Sequence, residues 1–419
     1  VGGVTQGSEA GDVVKRFPTL NFSYRAAAFV YLLTLLGSHL ATPLYPYWQT
    51  EFSLPTAAIT LIFACYPIGV TVGLLWGGRL GDQFGRKPLI LVGVVLTALG
   101  SSLYLIADGM NFLVAARLLN GVAIGLMSGP AMAAVVESHP AGNRAEGSRF
   151  GSMITLASPA FGLLMASLVV HFAATPARAA IIPFLVQLCG LGIALLLYLT
   201  MRETILPESR RTLRTASYAP QGVWVPAEIR VGFIFAALIG VLVWANTGLW
   251  LALGPSMVLD LLGSTNRLLA GMVVVVFLAT AGVVQIFARG LTYRSAIMVG
   301  LVLIPVSLIL INLTLVWQST LGLVVGAVLA GAGQGLGWMG SSEFINRITP
   351  TNVRASVLSA IYICGYFGTA IPLIAVGYAA DRFGLGPALG ALSAIFFALS
   401  IYLIIRNLQF RTEEMRTLV

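Results

Sequence analysis

From residue 26 to residue 406 the chain passes through one apolar stretch of about 20 residues after another, each ended by a short polar turn. About 20 mostly apolar residues are what an α-helix needs to cross the hydrocarbon core of a bilayer. Read on that scale, spans lie near 26–48, 55–78, 88–107, 111–134, 149–173 and 178–201, and again near 231–258, 268–289, 295–315, 319–342, 354–378 and 386–406. Between the two sets runs a polar stretch containing Arg210, Arg211 and Arg214. With 58% hydrophobic and only 9% charged residues, against roughly a quarter charged in a soluble domain, the chain requires lipid as solvent. Most soluble enzymes and nucleic-acid binders are thereby excluded.

The net charge of +9 has a topological reading. With the N-terminus placed in the cytoplasm, only Arg178, Arg267 and Arg382 of the 24 Lys and Arg fall on the opposite side, and Arg117 lies inside a span. Cytoplasmic loops retain basic residues during insertion, so this split orients the chain with both termini cytoplasmic, in the cell inner (plasma) membrane. No nucleic-acid partner is needed to explain the basic balance. Cys65, Cys189 and Cys364 all sit within apolar stretches, which predicts packing roles and leaves no disulfide framework or CxxC metal pair. The first 24 residues lack the apolar core of a cleavable signal peptide.

The two sets of spans echo one another at an offset of about 210 residues, as parallel internal repeats do. Gly121 and Gly125 of the fourth span recur as Gly331 and Gly335 of the tenth. Pro140 to Arg144 and Pro350 to Arg354 repeat one P-x-x-x-R spacing, with Glu137 and Glu343 upstream, and Pro43 matches Pro255. The expected fold is an all-α membrane protein with 12 transmembrane helices in two pseudo-symmetric six-helix bundles. Its divisions are a cytoplasmic segment (1–25), an N-terminal bundle (26–201), a cytoplasmic linker (202–230), a C-terminal bundle (231–406) and a cytoplasmic tail (407–419).

The loop after the second span reads Gly78-Arg79-Leu80-Gly81-Asp82-Gln83-Phe84-Gly85-Arg86-Lys87. It resembles the G-x-L-a-D-r-x-G-r-k signature of the major facilitator superfamily, with Gln83 where the family usually has Arg. The resemblance covers nearly the whole chain and comes closest to the bacterial 12-helix drug–proton antiporters. Glycines allow the tight turn, and a carboxylate at Asp82 suits a helix N-terminus or a basic side chain across a gate. In the family this loop locks the bundles in the outward-facing state. The resemblance implies that role for Asp82, Gly85 and Arg86, with Gly78 in the same cytoplasmic gate. Arg117-Leu-Leu-Asn120-Gly121 is similar to the family's R-x-x-q-G pattern, with Asn120 in place of Gln. Ser158-Pro159-Ala-Phe-Gly162 resembles part of the antiporters' G-P-x-x-G-G motif and keeps the kink chemistry of Pro159 and Gly162. Arg202-Glu203-Thr204-Ile205-Leu206-Pro207 is similar to an end-of-bundle motif.

Transporters of this architecture hold substrate near the bilayer midplane. Polar residues within the relevant spans make the candidate cavity His39, Thr42, Tyr45, Arg117, Asn120, Asn246, Trp250, Gln334, Tyr362 and Tyr366, with Ser38, Tyr66 and Gln285 within reach. A cation inside a span costs about 2.5–3.5 kcal/mol on insertion scales, so Arg117 calls for a partner or a wet cavity. None of the 15 acids falls at the midplane, which disfavours a cationic substrate and suits a neutral or anionic one. His39, titrating near neutrality beside the like charge of Arg117, is the candidate proton-coupling site together with Arg117. The functional expectation is a secondary active transporter, not an enzyme, that exports a small organic compound by alternating access in exchange for protons. An uptake symporter or uniporter is the alternative. The expected partners are a small-molecule substrate, protons and the lipid bilayer, with no cofactor and no metal, and the expected state is a monomer.

Overall fold

A computed structural model describes residues 9–200, 218–220, 222–264 and 266–417. Every regular element among the described residues is helical, and 12 helices there are long and apolar enough to cross a membrane. The first span is broken. Helix α1 (Glu9–Gly37) gives way to a 3-10 turn at Thr42–Leu44 and resumes as α2 (Tyr45–Glu51). In the first half there follow α3 (Thr56–Phe84), α4 (Arg86–Leu105), α5 (Met110–Glu137), α6 (Arg144–Phe172) and α7 (Pro176–Leu199). The second half holds α8 (Arg230–Ser256), α9 (Arg267–Phe287), α10 (Tyr293–Trp317), α11 (Thr320–Ile348), α12 (Arg354–Phe383) and α13 (Leu385–Thr417). Residues 1–8 and most of the linker, with Arg202 to Pro207, Arg210, Arg211 and Arg214, lie outside the described residues.

Helix starts follow the sequence. Asn143, Thr175, Asn266, Thr292 and Ser319 each accept a backbone N–H of the helix they open, which satisfies donors that would otherwise be left unpaired in the first turn. The glycine repeat has a direct structural meaning. A Cβ on Gly121 or Gly125 would strike the backbone at Tyr66 and Val70 of α3, and one on Gly331 or Gly335 would strike Phe277 and Ala281 of α9. Thus α5 lies on α3 as α11 lies on α9, through the same pair of small residues, and the partner positions repeat at an offset within one residue of that of the glycines.

Within the first half α1 packs on α6 and α7, and α4 on α5 and α7; within the second, α8 packs on α11 and α12, and α10 on α11 and α13. The halves meet chiefly where α3 lies along α12 and α6 along α9. These seams are tight at one end. There the Asp381 carboxylate, on the last turn of α12, accepts the backbone N–H groups of Thr56 and Ala57 at 2.7 and 2.9 Å. Gly377 faces Ala57 and Thr60, and Gly271 faces Ser167, with no room for a Cβ.

At the other end α3 stops at Gly85, whose φ of 106° is left-handed and costs a glycine little. Asp82 there is held by Arg86 at 2.5 Å, and Arg86 lies 3.5 Å from Glu137, all within the first half. The stretch around 218–224 runs along this end: Trp76 Nε1 donates to the Tyr218 carbonyl at 3.0 Å, and the Trp224 N–H donates to Ser356 Oγ at 2.6 Å. The cysteines are free, and the packing role expected for all three holds for buried Cys65 but not for Cys189, which lies on an exposed face of α7.

Candidate functional site

Between the halves is a cavity of about 700 Å³ that runs from His39, Phe63 and Arg117 towards Ser128, Met132 and Ser152, at the Gly85 end. Both halves line it, and among the described residues no Asp or Glu does.

Arg117 projects from α5 and is 1% exposed. The break in the first span prepares its seat. With α1 ended at Gly37, the Thr42 N–H goes to the His39 carbonyl, and the Ser38 carbonyl is left to accept Arg117 Nη1 at 2.7 Å. Arg117 Nε and Nη2 both donate to the Tyr45 hydroxyl, the first at 2.6 Å. The guanidinium carbon lies 5.3 Å from the ring centres of Tyr45 and Phe63 and 5.6 Å from that of Tyr66, within cation–π reach of each. Tyr45 is itself fixed by an aromatic column in which Trp48 stacks on Tyr104 at 5.3 Å and Tyr104 on Phe184 at 4.3 Å. Hydroxyl, carbonyl and π faces thus take the place of a carboxylate partner, and the positive charge remains uncompensated beside the cavity.

His39 sits next to this cluster. Its Nδ1 is 2.7 Å from Ser38 Oγ, which is in turn 2.6 Å from the Leu35 carbonyl. Its ring meets Tyr66 edge to face at 6.3 Å. The opposite wall, from the second half, is aromatic and uncharged. Trp244 of α8 is 4.7 Å from Tyr366, 5.2 Å from Trp338 and 6.2 Å from Tyr362, each at a steep interplanar angle. These edge-to-face contacts hold flat surfaces at fixed orientations. Gln285, Gln334, Thr247 and Thr369 add hydrogen-bonding groups.

Of the residues expected in the cavity, His39, Arg117, Gln334, Tyr362 and Tyr366 line it, as do Ser38, Tyr66 and Gln285. Tyr45 serves it indirectly through Arg117. Thr42, Asn120, Asn246 and Trp250 do not line it. Thr42 is wholly buried in the 3-10 turn, Asn120 packs against Gly100, the Asn246 amide donates to the Ala330 carbonyl at 3.3 Å, and Trp250 stacks on Phe277. These four face neighbouring helices because a polar side chain within a span also serves helix–helix contact. Sequence reasoning missed Tyr31, Phe63, Trp244, Trp338 and Thr155. An available signal was that Trp244 and Trp250 stand on different faces of one helix and only one can face the cavity. Gly78 and Asp82 are exposed near the Gly85 end, and Gly85 and Arg86 form the turn between α3 and α4. On α6, Ser158 donates to the Ile154 carbonyl one turn before Pro159, and Gly162 admits the backbone of Leu36. Among the described residues no cluster of His, Cys, Asp or Glu could hold a metal.

The family model of the Major Facilitator Superfamily matches residues 27–373. Among curated proteins, the chain is 36% identical over 111 residues to the uncharacterized MFS-type transporter EfpA of Mycobacterium tuberculosis, a match covering 26% of this chain and 21% of that protein. It is 22% identical over 133 residues to the quinolone resistance protein NorA of Staphylococcus aureus, covering 32% and 34% respectively. The chain therefore spans about a third or less of these relatives. Among solved structures it is similar to the nucleoside transporter NupG, with TM-score 0.70, 14% identity and 92% and 98% of the two chains covered. A D-xylose–proton symporter matches with TM-score 0.72, 14% identity and coverage of 92% and 97%.

Proposed function

The chain belongs to the Major Facilitator Superfamily, and from that premise we propose that it is a secondary active transporter exporting a small neutral or anionic organic compound by alternating access, in exchange for protons. The chain is a multi-pass membrane transporter, not an enzyme. The distribution of Lys and Arg supports a cytoplasmic Gly85 end with both termini cytoplasmic, and we assign the protein to the inner membrane. On that orientation the seam capped by Asp381 faces outward and the cavity extends toward the cytoplasmic end, the arrangement that collects cargo for export. The partial resemblance to the quinolone resistance protein NorA supports the export direction. His39, beside Arg117, is the proton site. The loop of Gly78, Asp82, Gly85 and Arg86 is the gate that closes the cytoplasmic side in the opposite state, Pro159 and Gly162 give α6 the bend it needs, and a single copy is the working unit.

The observation that carries this reading is a two-sided cavity lined, among the described residues, by one buried cation and no carboxylate. An organic cation entering it would meet Arg117 without a counter-charge. The same observation favours one second reading. An anion beside a protonated His39 would bind together with the proton, and the two would move in the same direction, as in an uptake symporter.

Thermal unfolding of the detergent-purified protein against matched anionic, neutral and cationic compounds tests the cavity. A ligand at 100 times its Kd adds about 2.7 kcal/mol to the folded state. Anionic or neutral compounds are expected to raise Tm, and Arg117→Ala and Arg117→Lys are expected to lose that rise while their unliganded protein stays monodisperse. Stabilisation chiefly by cations, unchanged in both variants, sinks the reading. Accumulation in inverted vesicles with and without an uncoupler decides between exchange and cotransport.

A further inference from the structure

The hydrogen bonds around His39 decide which of its nitrogens carries the proton. The Leu35 carbonyl can only accept, so the Ser38 hydroxyl at 2.6 Å donates to it. Ser38 Oγ is then the acceptor for His39 Nδ1 at 2.7 Å, and Nδ1 carries the hydrogen. In the neutral ring this leaves Nε2 as a lone pair. No residue bonds Nε2 among the described residues, and His39 lines the cavity. The site therefore offers an uncharged ring-nitrogen acceptor on the Arg117 side of the cavity.

Three surroundings narrow what would fill it. Arg117, seated on the Ser38 carbonyl, favours negative charge building up on an atom that approaches His39. Tyr66 closes one side edge-on. Across the cavity Tyr366 joins the apolar cluster that Tyr66 also borders, and Trp244 and Trp338 extend that wall as flat surfaces.

We propose that this site binds a planar aromatic compound bearing a neutral, weakly acidic hydroxyl, the phenol class, with its O–H donating to His39 Nε2 and its ring against the Trp244 wall. The assignment rests on the transport reading for the cavity and names its substrate class. It also gives exchange a physical basis. A proton and a hydroxyl donor compete for one lone pair, so His39 protonated from outside must release that proton before the phenol binds. The phenol keeps its own hydrogen, and no bond other than N–H is made or broken. A carboxylate would instead co-bind with the proton. Arg117 from α5 and Tyr66 from α3 stand next to His39, Tyr31 of α1 and Tyr362 and Tyr366 of α12 line the same cavity, and Tyr45 and Cys65 lie beside Arg117. By their ordinary ranges arginine and tyrosine keep their charge state between pH 5.0 and 7.5, and cysteine stays mostly a thiol at about pH 7 and below.

Calorimetric titration of the full chain in detergent with four compounds sharing one ring system makes the test: 2-naphthol, its methyl ether, 2-naphthoate and 2-naphthylmethylammonium. The naphthol should bind about three- to tenfold tighter than the ether, as one hydrogen bond predicts, and tighter than both ions. Its affinity should fall at least threefold from pH 7.5 to 5.0. His39→Gln, which keeps an acceptor, should bind naphthol within a few-fold of the parent but without the pH dependence; His39→Leu should lose the preference over the ether. Equal binding of the ether, or tighter binding of either ion, overturns the proposal on the unmodified protein, whatever the variants do. Proton movement in vesicles separates it from the transport reading: naphthol binding as described without any proton flux would refute exchange and leave the site standing, whereas flux driven by other compounds with no naphthol preference would refute the site alone.

Discussion

The two halves of this molecule share a skeleton and divide the chemistry. Gly121 and Gly125 seat α5 on α3 just as Gly331 and Gly335 seat α11 on α9. Both halves also carry an Asp-x-Phe-Gly sequence, Asp82 to Gly85 at the end of α3 and Asp381 to Gly384 at the end of α12, each closing on a left-handed glycine with φ of 106° and 87°. The first half holds the buried cation, the histidine and the broken span that seats them, while the second half presents the Trp244, Trp338 and Tyr366 wall without a charge. The difference teaches that duplication preserved what sets helix separation and left side chains facing the cavity free to diverge. It also shows one such turn engaged and the other, which does not stand at the repeat offset from it, idle. Asp381 reaches across to α3, whereas Asp82 meets only Arg86 of its own half among the described residues.

The largest effect should come from the shared skeleton. Gly121→Val and Gly331→Val place a branched side chain where partner backbone already lies, and overpacking of this kind costs about 1–3 kcal/mol or more. Both variants should lose most of their monodisperse protein in detergent size-exclusion profiles, and to a similar degree. Gly192→Val, on α7 with open space around it, should not. Damage confined to one half would break the claim that the halves are built alike.

That skeleton is largely legible in the sequence, because span length, basic bias and glycine spacing are one-dimensional records of lipid thickness, orientation and helix approach. The cavity is legible only in part. His39 and Arg117 stand out because a titratable side chain in lipid is costly wherever it faces. Asn246 and Trp250 mislead because a polar atom within a span can serve a helix seam as well as a cavity, and only the rotation of α8 decides. The cap that Asp381 gives α3 joins residues 325 apart, and no local pattern marks it. Pro55, which precedes α3, has no side chain able to cap it, and that absence was the one trace in the sequence.

A middle effect tests whether the engaged turn holds the outward side shut. Asp381→Ala removes acceptors from two backbone N–H groups at the start of α3. A lost cap costs about 1 kcal/mol, which is roughly a fivefold change in a two-state balance. Spin labels at Gln49 and Arg267, which flank a separate cavity at that end, should show a new long-distance population. An unchanged distance distribution would mean that packing of Gly377 and Gly271 closes this end unaided.

The smallest and most discriminating effect concerns the idle turn. Asp82→Asn loses a 2.5 Å contact to Arg86, but the Asp82 side chain is 70% exposed, and an exposed pair contributes about 0–1 kcal/mol. The resting distance between Gln49 and Arg267 should therefore stay as in the parent. If Asp82 engages the start of α12 once the cytoplasmic end closes, as Asp381 now engages the start of α3, the loss appears only in turnover. Export should slow about threefold to tenfold with ligand binding unchanged. Glu343→Gln supplies the comparison, since its pair with Arg347 has the same 2.5 Å length and helical spacing but stands outside any Asp-x-Phe-Gly turn. It should leave both distance and turnover alone. Were Asp82→Asn to shift the resting distances as far as Asp381→Ala, both turns would be bearing on the same state, and the alternation between them would be wrong.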